Sequence, residues 1–441
     1  MPKIKRQSRS KSGKGFKKNN LLIFSIPLLI GATPADNGPM TWESAVREAV
    51  RWHPSITESV GRLREQAEEI EVAKAGYRPQ ISAGLGSSYD NATLSRWRPR
   101  ASVSASQMLY DFGKVSSSVA SAEAGTRAGR AELLMSVDSL IRDTSYAVIE
   151  IQRDRGLQQV ALDQLQSIRS IDELVKHRFR LGASTKSDAL QAQARVQAAE
   201  VTLQQIEAEQ RRWDSNLAFL LGRSTAPEVS LDPPPGLHGA CARGEPDWTI
   251  VPAVMQAQAR RDQAFADLKR SRADGLPTIS LGAGGGADIH DPFSRRADYN
   301  FGINVSSALY SGGARKARAR GASYALGAAD AAEARVRNEV GRLLAEAERQ
   351  LSSLTSVADT LAARQASMNE TGRLYRLQYL DMGTRTLVDL LNAEQELHQV
   401  RFDLVNTRYD IRRLQVDCLF HSGVQRDVFG LSGTTVRGVI L

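Results

Sequence analysis

The 441-residue chain has a formal charge of +9 and only 6% aromatic residues, so its apolar content rests on alanine, leucine and valine, as in long close-packed helices. The charge suggests a nucleic-acid partner, but residues 1–35 hold eight lysines and arginines and no acidic residue. The remainder carries fifty basic against forty-nine acidic residues, which excludes a basic nucleic-acid-binding surface as the source of the charge.

Residues 1–35 have the organisation of a secretory signal peptide. A basic segment precedes an apolar run of ten residues, 21–30, whereas a membrane-spanning helix needs ~20. Small residues follow, and we expect cleavage after Ala35. No cysteine lies at the end of the apolar run, so a lipoprotein is not predicted. An inner-membrane anchor is the alternative interpretation.

Residues 41–222 make up a first predicted structural repeat. It opens with a helix over 41–75, which starts at a capping signal at Thr41 and cannot continue past Pro79. A strand pair within 80–110, a long helix, a tight turn and a second helix follow.

Strict alternation of apolar and small polar residues predicts the strands. Apolar residues occupy every second position of 80–86 and 101–106: Ile81, Ala83, Leu85, Ala101, Val103 and Ala105. The second half of the chain repeats the pattern with Ile279, Leu281, Ala283, Tyr299, Phe301, Ile303 and Val305.

Residues 247–423 make up a second predicted repeat with the same plan, including a strand pair over 277–310 and a turn over 382–389. The predicted linker between the repeats is 223–246, which is rich in proline. The C-terminal tail, 424–441, has no clear pattern.

The duplication is visible in matching motifs. Gly182 and Gly383 lie 201 positions apart, Pro79 recurs as Pro277 at an offset of 198, and the Leu-Tyr pair at 109–110 recurs at an offset of 200. This period is far longer than the ~20–50 residues of solenoid repeats, so it indicates a duplicated half of a domain.

Two proline-free stretches, 114–180 and 314–380, predict helices of about 100 Å each. The helix after each turn has apolar residues at alternating spacings of four and three. This pattern predicts antiparallel coiled coils between the helices that each turn joins.

The two turns, which we call the first tip (residues 181–188) and the second tip (382–389), follow one plan. Gly182 and Gly383 supply the left-handed conformation that ends a helix. The T-x-x-D sequences that begin at Thr185 and Thr386 predict capping boxes at the start of the next helices.

Four strands per chain cannot close into a barrel. A sheet in a membrane must close, because unpaired backbone groups in hydrocarbon cost several kcal/mol each. If these strands span a membrane, several chains must therefore pool them, and the long helices would continue the barrel as a tube.

Three segments carry a resemblance to a known family: Gly383-Thr384-Arg385-Thr386-Leu387-Val388-Asp389-Leu390-Leu391, Ser106-Gln107-Met108-Leu109-Tyr110-Asp111-Phe112-Gly113-Lys114 and Gly182-Ala183-Ser184-Thr185-Lys186-Ser187-Asp188. In these segments, and over nearly its full mature length, the chain resembles TolC-type outer-membrane channels. The last two segments resemble the type I secretion branch, particularly channels that export large adhesins.

The resemblance implies an α+β membrane protein in the outer membrane of a Gram-negative bacterium. Its four strands would contribute to a trimeric twelve-stranded β-barrel, continued into the periplasm by a long α-helical coiled-coil tunnel. The implied partners are two further copies of the chain, a periplasmic membrane fusion protein, an inner-membrane ABC transporter, an exported protein and outer-membrane lipid.

The resemblance also places the periplasmic gate of the tunnel at the tips, with the residues Ser187, Asp188, Arg385, Asp389 and Asn392. Arg385 would bridge to Ser187 and Asp188, and Asp389 would form an acidic ring. Asn392 stands where the family often has a second acid. Helix capping alone is the competing interpretation of Asp188 and Asp389.

The turns themselves are implied to dock the fusion protein, through Gly182, Ala183, Ser184, Thr185, Gly383 and Thr384. The family has a tyrosine three residues before the second glycine. This chain has Leu380 there, with Tyr379 adjacent.

Other functional classes are weaker. The six histidines include no pair at i, i+4, so neither a metal site nor an enzyme is predicted, and no cofactor is implied. A small-molecule or drug efflux channel competes with protein secretion, and a non-channel coiled-coil structural protein is the remote alternative.

The chain has two cysteines, Cys241 and Cys418. The oxidising compartment that a signal peptide implies would permit a disulfide between them. However, Cys418 continues the apolar series of the last helix, which favours two free thiols.

Overall fold

The computed structural model describes residues 38–90, 96–242, 244–289 and 298–441. The predicted signal peptide lies outside these residues. Pro39–Leu441 forms one compact unit. Across the described ranges, every helix is too short or too polar to cross a membrane.

The first half contains four helices and two strands: α1 (Trp42–Trp52), α2 (Pro54–Lys74), β1 (Gln80–Asp90), β2 (Arg96–Tyr110), α3 (Lys114–Arg180) and α4 (Lys186–Leu221). The single helix predicted over 41–75 is wrong, because the chain is extended at His53 and α2 starts with Pro54 at its first position. Both strands are longer than the alternating segments predicted.

The second half repeats the order of the elements with α5 (Pro252–Ala273), β3 (Thr278–Asp288), β4 (Asp298–Ser306), α6 (Ala314–Leu377) and α7 (Leu387–Ser422). A five-residue π-helix, Gln378–Met382, separates α6 from the second tip. The long helix predicted over 314–380 therefore changes its hydrogen-bond pattern in its last turn.

The tail, whose sequence has no clear pattern, is ordered. It forms a short helix, α8 (Gln425–Val428), and a small hairpin of β5 (Thr435–Val436) and β6 (Val439–Ile440). Arg426 makes a buried ion pair with Asp138 of α3, and Phe429 packs against Trp42 at a ring-centroid distance of 6.3 Å. The tail is thus part of the main hydrophobic core.

The four long strands form one antiparallel sheet in the order β1-β2-β3-β4. The β2–β3 register shifts by one residue between Met108 and Tyr110. Beyond this sheet, α3 packs on α2 and on α5, and α5 packs on α6, so the helices follow the same lateral order as the strands. At the far end, α3 pairs with α4 and α6 pairs with α7.

Cys241 and Cys418 form a disulfide, with their Cα atoms 5.2 Å apart. The preference for two free thiols is therefore wrong. Cys418 is fully buried, as its place in the apolar series predicted, but the linker folds back and brings Cys241 against the same core. The bond ties the linker to α7.

Candidate functional site

The strand register sorts the side chains of the sheet onto two chemically different faces. Cross-strand partners share a face of the sheet. The pairs Ile81–Ala105, Ala105–Ala283 and Ala283–Phe301 therefore show which residues of all four strands lie on the same face. The face that contains them, which we call the apolar face, carries Ile81, Ala83, Leu85, Ala101, Val103, Ala105, Ile279, Leu281, Ala283, Tyr299, Phe301, Ile303 and Val305. Leu85 is 81% exposed and Tyr299 92% exposed, so the protomer leaves this face uncovered.

The opposite face, which we call the polar face, consists mainly of small residues: Ser82, Gly84, Ser102, Ser104, Ser106, Ser280, Gly282, Gly284, Asn300, Gly302, Asn304 and Ser306. Its charged groups lie at the end remote from the helices, where Arg100 contacts Asp298 across the sheet. A sheet with one apolar and one polar face fits a membrane-spanning wall with lipid on one side and water on the other.

The sheet has two open edges, β1 and β4. One chain supplies four strands, and bacterial membrane barrels need at least eight. The backbone groups of these edges therefore need partners from further copies of the chain.

The first tip matches the sequence prediction closely. Gly182 has φ +75°, and the amide of Ala183 donates to the carbonyl of Arg178 at 2.8 Å, which closes the end of α3. Thr185 and Asp188 form a complete capping box at the start of α4. Ser184 also donates to the Asp188 carboxylate, at 3.0 Å.

The second tip has the same construction. Gly383 has φ +62°, and Thr386 and Asp389 form a complete capping box at the start of α7. Hydrogen bonds from the Thr386 backbone and side chain, with nearby Arg385, lower the pKa of Asp389. Bonds from the Thr185 backbone and side chain lower the pKa of Asp188 in the same way. Both carboxylates are ionised at neutral pH.

Arg385 contacts residues of its own protomer that precede the second tip. Its guanidinium lies 4.4 Å from the ring centroid of Tyr375, and its Nε donates to Gln378 at 3.1 Å. Among the residues that the structure describes, no ion pair joins Arg385 to Asp188 inside one protomer. Asn392 is exposed and accepts a hydrogen bond from Arg195 of α4 at 3.5 Å.

The sequence did not predict the contact between the helix ends beside the two tips. Tyr379 is only 7% exposed and packs in an apolar cluster formed by α3, α4 and α7, whereas Leu380 is 37% exposed. Arg178 lies 5.0 Å from the Tyr379 ring centroid. Burial raises the pKa of Tyr379, and the nearby Asp188 adds to this rise.

Tyr379 lies inside the π-helix. A π-turn holds one residue more than an α-turn, so it rotates the residues that follow it. Tyr379 is thus the buried residue of the two, beside the position where the resemblance expects a tyrosine. Only the position of an aromatic residue beside Leu380 hinted at this in the sequence.

A two-faced sheet with open edges, continued by helices of 67 and 64 residues, is the α+β architecture of TolC-like channels. The solved structure of VceC from Vibrio cholerae superposes with a TM-score of 0.75 at 19% identity, covering 87% of this chain and 96% of that one.

The sequence comparisons give the family. The model of the family described as "Outer membrane efflux protein" matches residues 45–223 and 251–417. The efflux protein BepC of Brucella suis is 24% identical over 90% of this chain and 88% of its own length. The alkaline protease secretion protein AprF of Pseudomonas aeruginosa is 26% identical over 60% of this chain and 57% of its own length.

The chain therefore belongs to the outer membrane efflux protein family, the family of TolC. Members are outer-membrane channels that extend into the periplasm, and they work as trimers with adaptor and inner-membrane transporter partners. They are not enzymes. Membership excludes the non-channel coiled-coil alternative.

Proposed function

We propose that three copies of this chain form the outer-membrane channel-tunnel of a tripartite type I secretion system, which exports proteins. The observation that supports this most strongly is the sheet, whose strand register gives it one apolar face, one polar face and two open edges. Three copies would supply twelve strands, close every edge and surround an aqueous pore with the polar face.

The lining of this pore favours a bulky, chemically varied cargo. Serine, glycine and asparagine project little into the pore and carry no charge, so the wall filters neither by size nor by sign over most of the described strands. An extended polypeptide with side chains of every kind needs such a path. The name of AprF, a secretion protein, and the resemblance of the segments 106–114 and 182–188 support the same choice.

Small-molecule efflux is the second candidate. It is favoured by the family description and by the name of BepC, an efflux protein. A wide uncharged pore also passes small molecules, so the partner complex at the inner membrane would decide between the two cargoes.

We propose further that the two tips form the periplasmic gate and the docking surface. Since Arg385 stacks on Tyr375 of its own protomer, a bridge from Arg385 to Ser187 and Asp188 would join neighbouring copies. Asp389 and Asn392 would then line the entrance. The exposed turn residues Gly182, Ala183, Thr185, Gly383 and Thr384, with the half-buried Ser184, would receive the fusion protein.

The test is complementation in a Gram-negative strain that lacks its own channel of this family. The chain is expressed with a type I ABC transporter, its fusion protein and a substrate protein, and the secreted substrate is measured. The same strain is tested for drug resistance with a proton-driven pump and its adaptor. Secretion without restored resistance supports the proposal, whereas resistance without secretion assigns the chain to efflux.

A further inference from the structure

The helices α2 and α6 are the outermost members of the helical layer. The lateral order α2, α3, α5, α6 matches the strand order, so α2 stands above the open edge β1 and α6 above the open edge β4. In any closed ring of copies, α6 of one chain must meet α2 of the next. The residues on the outward faces of these two helices would therefore form that contact.

The outward face of α2 carries the acidic residues Glu65 and Glu68, flanked by Arg64, whose guanidinium donates to the carbonyl of Arg437. Gly61, Glu65, Glu68 and Val72 recur at spacings of four, three and four, opposite the buried Ile56 and Val60. Val72 is 65% exposed, and a side chain at Gly61 would meet only open space. Across the described part of the chain, Glu65, Glu68 and the adjacent Glu69 have no ion-pair partner.

The outward face of α6 is small and basic. Ala317, Gly321, Tyr324 and Ala328 recur at the same spacings, opposite the half-buried Ala319, Ala322 and Leu326. Tyr324 is 75% exposed. Arg318 and Arg320 flank this row, are exposed, and likewise pair with no acid among the described residues.

The contact between α3 and α5 inside the protomer provides a template for the missing contact. By the internal duplication, α3 is the counterpart of α6 and α5 is the counterpart of α2. These two helices pack antiparallel, with Ser121 bonded to Asp267 at 2.9 Å on one side and Arg127 bonded to Asp262 at 2.9 Å on the other. Alanines fill the space between them.

The residue offsets between the two repeats show which residues of α6 and α2 correspond to those of the α3–α5 contact. The long helices start 200 residues apart, at Lys114 and Ala314, and the first strands of the repeats start 198 apart, at Gln80 and Thr278. With these offsets, Gly321 and Glu69 correspond to Ser121 and Asp267. They should therefore lie at the same height along the outer contact as that pair does along the α3–α5 contact. From their positions around their helices, Arg320 and Glu68 should lie on the same side of the outer contact as Arg127 and Asp262 do in the α3–α5 contact.

By the same helical positions, Arg318 and Glu69 fall on the side of Ser121–Asp267. Tyr324 and Glu68 occupy places that are alanines, Ala124 and Ala266, in the template. The contact between α6 and α2 therefore has polar and charged side chains at positions where the α3–α5 contact has packed alanines.

We propose that the basic outward face of α6 docks on the acidic outward face of α2 of a second copy of this chain, pairing Arg320 with Glu68 and Arg318 with Glu69. This interface rests on the proposed trimer. It makes each junction between copies a charge-complementary version of the α3–α5 contact, so that charge, together with strand pairing, sets the register of assembly.

The test is charge reversal and rescue in the full-length protein, extracted from outer membranes in mild detergent. The readout is the temperature at which the trimer dissociates to monomers on semi-native gels. Arg320→Glu and Glu68→Arg should each lower this temperature by several degrees, because like charges then face each other at all three junctions. The double variant should recover most of the loss.

Arg47→Glu is the matched control, since Arg47 is exposed on α1, outside both rows, and undergoes the same charge change. Single variants that dissociate like this control, or a double variant no better than its worse parent, overturn the interface while leaving the trimer intact. A wild-type protein that is monomeric overturns the proposed function and the interface together.

Discussion

At the residue scale, the gate proposal depends on Arg385 and Asp188. Exposed ion pairs are typically worth only ~0–1 kcal/mol, so removing them should loosen the tips without unfolding them. We expect the double variant Arg385→Ser, Asp188→Ala to show a higher single-channel conductance than the wild type in planar bilayers.

Arg373→Ser is the matched control for this experiment, because Arg373 is an exposed arginine on α6 that pairs only with Glu370 of its own helix among the described residues. Its conductance should equal that of the wild type. Unchanged conductance in a correctly assembled double variant would reduce Asp188 to a helix cap.

The tip carboxylates also make a prediction about pH. The pKa values of Asp188 and Asp389 are lowered by their capping hydrogen bonds, so their contribution to the folded tips is present above the ordinary aspartate pKa of about 3.9. It is lost only as the pH falls through the lowered values. Closed-state conductance should therefore stay constant from pH 8 to pH 5, and a rise within that range would contradict the assignment.

The buried pair of Asp138 and Arg426 should anchor the C-terminal tail. Burial raises the pKa of Asp138 to about 7, although the charge of Arg426 acts in the opposite direction. Each of the two buried groups therefore depends on the other for its charge partner. Asp138→Ala leaves the guanidinium buried and unpaired, which typically costs about 3–5 kcal/mol. Thermal unfolding followed by helical circular dichroism should show this loss.

The comparison variant for the buried pair is Arg437→Ala, which removes only exposed hydrogen bonds of the tail hairpin. It should unfold within a few degrees of the wild type. If both variants lose the same stability, the pair does not anchor the tail.

Several residue-scale features could be read from the sequence because they depend on local chemistry. Gly182, Gly383 and the two capping boxes are determined by neighbours within four residues. The π-helix could not be predicted, because it reflects a shift of backbone hydrogen bonds that leaves no compositional trace. The ion pair of Asp138 with Arg426 joins residues 288 positions apart and is equally invisible in the sequence.

At the element scale, the alternating strands and the long helices followed from periodicity, and α3 has the bounds that the sequence predicted. The strand ends near Asp90 and Arg96 were missed because the alternation there is interrupted by polar and charged residues. The linker and the tail lack any period, and only tertiary packing gives them structure.

The disulfide gives a direct test of this packing. The unreduced protein, unfolded in denaturant with excess alkylating agent, should gain no alkyl group, because Cys241 and Cys418 are bonded. After reduction it should gain two. Two groups without reduction would show that the disulfide is absent.

Loss of the disulfide should also lower stability. A bond that closes a loop of 177 residues restricts the unfolded chain, an effect typically worth about 2–4 kcal/mol. Thermal unfolding of Cys241→Ser should therefore begin at a lower temperature than that of the wild type.

At the scale of the whole molecule, the sheet makes assembly obligatory for a membrane location. A single chain exposes its apolar face and two unpaired edges, and neither is stable in water or in lipid. The sequence could predict that chains pool their strands, since alternation shows the two faces. It could not show the lateral order of the helices, which identifies α2 and α6 as the junction.

A trimeric outer-membrane channel has three times the protein mass of the chain, so the mass of the purified particle tests the proposed assembly. The mature protein is extracted from outer membranes and measured by light scattering with detergent subtracted, with circular dichroism as a check on the sheet. We expect a protein mass of three chains. A stable monomer with intact sheet content would contradict it.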